Sequence, residues 1–290
     1  VNTPGTTVVV VGDAGLDVMV SPNGDVVHGG DTRAQIRVTM GGAGANTATW
    51  LASQGTDVVL VSRIGDDMAG RQVRENLKAA GVRCELAIDP SAPTCCVVIM
   101  VDKSGQRTML PDHGAGAWLR PDDLRPELLK TAKHLHLSGY VLLDPASRAA
   151  GLAMLAAARE HGLTTSVDPQ STALIDDPGT FLDWIKGVDL LLPNEDEIAL
   201  LAARHDPLDY VGAVAATAGA AGASWTDRTG TVSVAAEQVS CVDSTGAGDA
   251  FDAGLLTAWL AGEPHEAALR AGVMAATKVI AGVGAVPGQV

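Results

Sequence analysis

Short unbroken apolar runs alternate along this chain with longer stretches whose apolar residues recur every three or four positions. TTVVVVGD (6–13) reads as a buried strand and GANTATWLASQ (44–54) as a helix. TDVVLVSRIG (56–65) is the next strand, and DDMAGRQVRENLKAAG (66–81) is an amphipathic helix closed by Gly81 as a C-cap. The rhythm continues with strand HLHLSG (134–139), helix 146–162, strand TTSVDP (164–169), helix FLDWIKG (181–187), strand DLLLPN (189–194) and helix EDEIALLAAR (195–204). Strands that alternate with helices predict a mostly parallel sheet covered on both faces. Ligands of such sheets sit at the carboxyl ends of the strands.

Two segments break the rhythm. Residues 18–40 contain the turn SPNGD and end in QIRVTM, where Ile36, Val38 and Met40 alternate. Residues 94–110, TCCVVIMVDKSGQRTML, hold two strand-like runs around the turn DKSG. Both read as hairpins inserted between α/β units. They either extend the main sheet or pair into a small second sheet over the site. No repeat, low-complexity linker or domain boundary interrupts the chain, which reads as a single domain over 1–290.

Composition narrows the function. The 290 residues are 47% hydrophobic but only 3% aromatic, so the core is built from Ala, Val and Leu. A formal charge of −14 disfavours nucleic acid and anionic membranes as partners. No apolar run reaches the roughly 20 residues of a membrane span. The start VNTPGTTVVVVGDAG lacks a basic segment, so no signal peptide is expected. Cys84, Cys95, Cys96 and Cys241 form no C-x-x-C pair, and the expectation is reduced thiols in a cytoplasmic protein.

The chemistry concentrates in DSTGAGDAFDAGLL (243–256). Gly246, Ala247 and Gly248 make a tight turn, and Phe251, Leu255, Leu256, Trp259 and Leu260 then follow at helical spacing. Such a turn presents free backbone N–H groups at a helix N-terminus, which is an anion site. Asp249 is itself an anion. Either it caps the helix, or it takes a proton from an attacking hydroxyl while the N–H groups bind charge that develops during reaction. A resting phosphate beside it would be repelled, whereas a phosphoryl group in transit is a different case. A P-loop motif is absent, as is G-x-G-x-x-G after the first strand. GGAGAN (41–46) is a second Gly-rich turn ahead of a helix. His134 and His136 share one strand face, as core histidines or as a metal pair without an evident third ligand.

Taken together, DSTGAGDAF resembles the C-terminal signature of the ribokinase-like (PfkB) carbohydrate kinases, and GGAGANTA resembles their N-terminal one. IGDDMAG, GAGAWL, LHLSGY, DPQS and PNEDE lie between them in that family's order. The resemblance implies a ribokinase-like three-layer α/β sandwich with a central, mostly parallel sheet and a small β-sheet lid, and an ATP- and Mg2+-dependent sugar kinase. It gives Asp249 the role of catalytic base and the backbone of Gly246, Ala247, Gly248 and Asp249 that of anion hole. Asp17, at the end of the first strand segment, would hold substrate hydroxyls with Gly42 and Asn46. Asn194 and Glu197 would sit near the phosphates and hydrated Mg2+, or simply start their helix. Thr217, Gly219 and Gly222 would line the nucleotide site. Asp243, Thr245 and the loop around Gly284 would resemble a monovalent-cation site, with K+ as the candidate ion.

The chain departs from the ribokinase pattern at Ala43, where a substrate-contacting Lys is common, at Gly15 in place of an Asn, and at Val273 in place of an Asn near adenine. The proposed lid has no Phe, Tyr or Trp, which favours a sugar over a nucleoside. Arg33, Arg37 and Arg107 either meet an anionic group on a sugar acid or are exposed edge charges. The remaining alternatives are a nucleoside kinase of the same family and a sugar- or nucleotide-sensing protein without catalysis. Exposed lid edges lead to the expectation of a homodimer joined through the lids, with Val38 and Val98 in the contact.

Overall fold

The computed structural model describes residues 7–102, 106–237, 239, 243–282 and 284–287. Its strands are β1 (Thr7–Val11), β2 (Gly15–Pro22), β3 (Ala34–Gly41), β4 (Asp57–Gly65), β5 (Arg83–Asp89), β6 (Cys95–Val101) and β7 (Arg107–Asp112). They continue with β8 (Ala132–Ser138), β9 (Thr164–Asp168), β10 (Leu190–Leu191), β11 (Ala213–Thr217), β12 (Ala223–Asp227) and β13 (Gly230–Val234). The main sheet runs β13-β12-β11-β10-β9-β8-β1-β4-β5 and is parallel from β11 to β5, with β12 and β13 antiparallel at one edge.

β1 shows why the core has two halves. All five of its residues are buried. Val8 and Val10 join one apolar cluster with Phe251 and Leu255, while Val9 and Val11 join another with Leu155 and Phe181. Alternate side chains of a strand point to opposite faces, so the sheet is a middle layer between two layers of helices. The expected helices are present, with bounds shifted by a few residues. The amphipathic helix is Met68–Ala79, N-capped by Asp67, whose side chain accepts from Gly70 N–H at 2.7 Å. The helix expected at 181–187 starts earlier, at Pro178, behind an Asp177 cap.

The two inserted hairpins form their own four-stranded sheet, β3-β2-β6-β7, rather than extending the main one. β2 and β6, one from each hairpin, pair in parallel and join them. The lid is larger than expected, since β2 starts at Gly15 and β7 ends at Asp112. Asp17 therefore belongs to lid strand β2 and not to the end of the first core strand. Gly15 permits this departure from the core: a Cβ there would lie 2.4 Å from the Cys95 carbonyl oxygen. Lys103–Gly105, within the expected DKSG turn, lie outside the described residues, as does Cys241. Cys84, Cys95 and Cys96 are free thiols. Among the described residues no helix is long and apolar enough to cross a membrane.

Candidate active site

The polar groups gather where parallel strands end. Asp13 follows β1, Asp168 closes β9, Asn194 follows β10 and Thr217 closes β11. Helix Ala247–Leu260 points its N-terminus into this gathering, with Gly246 left-handed at φ 75° ahead of it. A Cβ on Gly246 would lie 2.7 Å from Ala285, so the turn needs glycine for its conformation and for its packing. A Cβ on Gly248 would meet nothing within 4 Å, so that position faces open space. The helical ladder begins with Ala250 N–H donating to Gly246 O at 3.0 Å; ahead of it, Ala247 N–H donates to Ser244 O at 3.3 Å.

Two cavities meet at the turn. The larger, about 320 Å³, is mainly apolar and includes Thr217, Gly219, Gly222, Val273 and Ile280 in its walls. The smaller, about 180 Å³, is lined by Asp168, Asn194, Glu197, Asp249 and Asp252. Thr217, Ser244, Ala247 and Gly248 border both. Asn194 and Glu197 form a capping box: Asn194 Oδ1 accepts from Glu197 N–H at 2.9 Å, and Glu197 Oε2 accepts from Asn194 N–H at 2.9 Å. The helix-start reading of PNEDE is realised, and the same two side chains also border the cavity.

Asp249 is held from across the chain. Asn46 Nδ2 donates to Asp249 Oδ2 at 2.9 Å, over 203 positions. Asn46 sits on helix Ala43–Ser53, whose start is shaped by Gly42 at φ 95°, where a Cβ would lie 2.7 Å from Asp13 O. The other amide atom, Asn46 Oδ1, is buried with no hydrogen-bond partner among the described residues. On the lid side, Asp17 pairs with Thr39 in the β2–β3 ladder and lies over Gly41, at which a Cβ would fall 2.1 Å from Asp17 Oδ1. Gly41 and Gly42 thus make room for a carboxylate and for a close backbone turn.

Burial dominates the electrostatics. It pushes the Asp249 carboxyl up to about 7, reinforced by Asp13 and Asp17 and opposed by the Asn46 and Gln170 side chains. It also pushes Asp17 up to about 7, with Asp13 and Asp243 adding repulsion. Asp13, Asp168, Asp252 and Glu197 are raised by burial as well. Of these two acids raised toward neutrality, Asp249 lines the smaller cavity, and a carboxyl so placed suits general acid–base chemistry. Asp243 goes the other way. Its carboxyl is lowered because hydrogen bonds from Thr245 and the charge of Arg107 outweigh burial. Gly284 N–H reaches Asp243 Oδ2 at 3.4 Å, so Asp243, Thr245 and Gly284 come together.

Sequence reasoning passed over several of these groups. Asp13 lies inside GDAGLD, where nothing local marks it as a site acid, while Asp168 opens the DPQS block, to which the sequence reading attached no role. Asp252 sits one turn beyond Asp249, and its buried Oδ2 accepts no hydrogen bond among the described residues, with His136 Nε2 4.0 Å away. Gln170 is the one non-glycine residue with positive φ, 71°, among those described, and it donates to both Asp168 oxygens at 2.9 and 2.6 Å. His134 and His136 bond to Thr164 and Ser166, and burial lowers them to about 3 and about 4. They are neutral core histidines, and among the described residues no cluster of three or more His, Cys, Asp or Glu is placed to hold a metal.

A doubly wound sheet with a β lid, a glycine turn at a helix N-terminus and a buried carboxylate beside it describe a group-transfer enzyme. The family model for pfkB family carbohydrate kinases matches residues 6–289, and the chain belongs to that family, whose members are phosphotransferases. It is 32% identical over 240 residues to the ATP-dependent ribose-1-phosphate kinase of Halopiger xanaduensis, covering 80% of this chain and 77% of the relative. It is 31% identical to a fructokinase of Klebsiella pneumoniae, covering 85% and 82%. The adenosine kinase of Sinorhizobium meliloti superposes with a TM-score of 0.87 over 97% of this chain and 96% of that one, at 24% identity.

Proposed function

We propose that this protein transfers the γ-phosphoryl group of ATP to a hydroxyl of a small sugar, with Asp249 as general base and the 246–249 turn as anion hole. The observation that carries the reading is the Asp249 carboxyl: buried, raised to about 7, steered by Asn46 and lining the smaller cavity next to Ala247 and Gly248, which border both. As the substrate hydroxyl attacks, Asp249 takes its proton, and the turn's N–H groups bind the oxygens that gain charge. A base whose carboxyl sits near neutrality binds that proton more readily than an exposed aspartate.

The mainly apolar cavity suits a nucleoside, with Thr217, Gly219 and Gly222 at its wall and Val273 in place of a polar base contact. Asp17, Gly42 and Asn46 hold the sugar, and the orphan Asn46 Oδ1 is an acceptor for one of its hydroxyls. Mg2+ is expected with the ATP phosphates. Glu197 and Asp168 border the smaller, acid-lined cavity, where their carboxyls would hold the ion through its water shell. Bound there, the ion would neutralise phosphate charge.

The acids Asp13, Asp17 and Asp249 favour a neutral, hydroxyl-rich acceptor, and the lid has no Phe, Tyr or Trp to stack a nucleobase. One observation favours a second reading, a phosphorylated or acidic sugar. Arg37 pairs with Met19, two residues from Asp17, on the same lid face, and it is exposed. Assaying ATP-dependent phosphorylation of fructose, ribose, ribose 1-phosphate and adenosine side by side tests the proposal. Turnover of none of these, with tight ATP binding, would favour a sensor.

A homodimer through the lids completes the proposal. Val38, Val18, Val98 and Leu110 align in one row across the four lid strands, on the face opposite Asp17. Val38 and Leu110 are 59% and 54% exposed, and a second lid is the matching cover for such an aliphatic row.

A further inference from the structure

Arg107 opens lid strand β7, paired with Val101 at the edge of the small sheet. Its guanidinium leaves the lid. One nitrogen donates to Thr245 Oγ1 at 2.5 Å and another meets Asp243 Oδ1 at 2.6 Å. Asp243 Oδ1 also accepts from Thr245 N–H at 2.8 Å, and Asp243 Oδ2 accepts from Gly284 N–H at 3.4 Å. The Asp243 side chain is 5% exposed. A buried carboxylate directly behind an anion turn opposes any incoming phosphate unless a cation neutralises it. Here a cation already stands there, and both carboxylate oxygens are engaged by N–H donors. Arg107 thus holds Asp243 Oδ1 and Thr245 Oγ1 and supplies, from the lid, the positive charge that a monovalent ion would bring to these two side chains.

We propose that Arg107 is a positioning residue that replaces a monovalent cation at the anion turn, delivered by the lid. Its fork spans 138 positions to tie lid strand β7 to the Asp243–Thr245 segment immediately before Gly246. The lid carries Asp17 on one of its faces, so the closure that covers the sugar also brings the charge that braces the turn. The turn is therefore complete only when the lid is closed, with Arg107 in the role a monovalent ion would otherwise play beside Asp243 and Thr245. This rests on the kinase reading for its rate consequences but not for its binding consequences.

The test compares wild type, Arg107→Met and Arg107→Lys in KCl and in choline chloride at equal ionic strength. Wild-type turnover and melting temperature are expected to agree between the two salts within about twofold and about a degree. Arg107→Met is expected to lose roughly tenfold or more of its kcat in choline, the scale of a charge-assisted bond. It should regain several-fold with KCl in a saturable way, and KCl should raise its melting temperature above that in choline. Arg107→Lys keeps the charge and should remain indifferent to K+. Several-fold K+ activation of the wild type would overturn the proposal. So would an Arg107→Met protein whose rate and melting temperature ignore K+. If no acceptor is phosphorylated, the melting comparison still decides the Arg107 question, while the kinase reading fails separately. If Arg107→Met does not fold, the wild-type and Arg107→Lys comparisons decide it.

Discussion

Replacing Asp249 with Asn separates a catalytic base from a helix cap. The substitution keeps the shape and an oxygen that accepts from Asn46 Nδ2, now 2.9 Å from Asp249 Oδ2. It removes the proton acceptor. Loss of a general base lowers rates by about 10²–10⁴, or about 3–5 kcal/mol of barrier. Stability should move the opposite way. The folded carboxyl titrates at about 7 against 3.8 unfolded, so the fold binds more protons than the unfolded chain between those values. Stability from this group therefore falls as pH rises through that window and is flat above it. Carrying the ionised form costs at most about 4 kcal/mol at pH 8 and less than half of that at pH 5. Asp249→Asn should thus melt several degrees above wild type at pH 8, with a smaller gain at pH 5. Wild-type kcat/KM should fall as pH drops through about 7, because the base works ionised, and the variant's residual rate should lack that Asp249 limb. The assay is coupled ADP release across pH 5–9 with a thermal melt of each sample. Near-wild-type kcat for Asp249→Asn would refute the mechanism and leave Asp249 as a cap.

Three further outcomes follow from the same geometry. Asp17→Ala should raise the sugar KM about tenfold or more with ATP affinity nearly unchanged, because hydroxyl partners are lost; an unchanged sugar KM in steady-state kinetics would sink the assignment. Gly246→Ala forces a left-handed residue against Ala285 and should cost about 2–4 kcal/mol in denaturant melts, with kcat falling as the turn distorts. Val38→Glu places a charge in the aliphatic lid row and should convert a dimer to a monomer in sedimentation at micromolar concentration, whereas a monomeric wild type would count against the lid contact.

Much of the architecture was legible because it is written in local periodicity. The apolar runs and the helical spacing determined the alternation of strands and helices, and the glycines at 246 and 248 with Asp249 marked the glycine turn at a helix start that is the candidate anion site. Backbone preference and amphipathic spacing act over a few residues, so a linear reading captures them. Tertiary structure alone decided which distant groups meet. It placed Asp17 in the lid rather than at the end of the core strand, because the chain leaves β1 and crosses to β6 through Gly15. It set Asn46 against Asp249 and Arg107 against Asp243, contacts made by packing between elements far apart in sequence. It brought Asp13, Asp168 and Asp252 together beside Asp249, although the sequence reading gave none of the three a role. It also set the carboxyl of Asp249 near neutrality, since desolvation exists only once the core, the lid and the neighbouring acids have assembled around it.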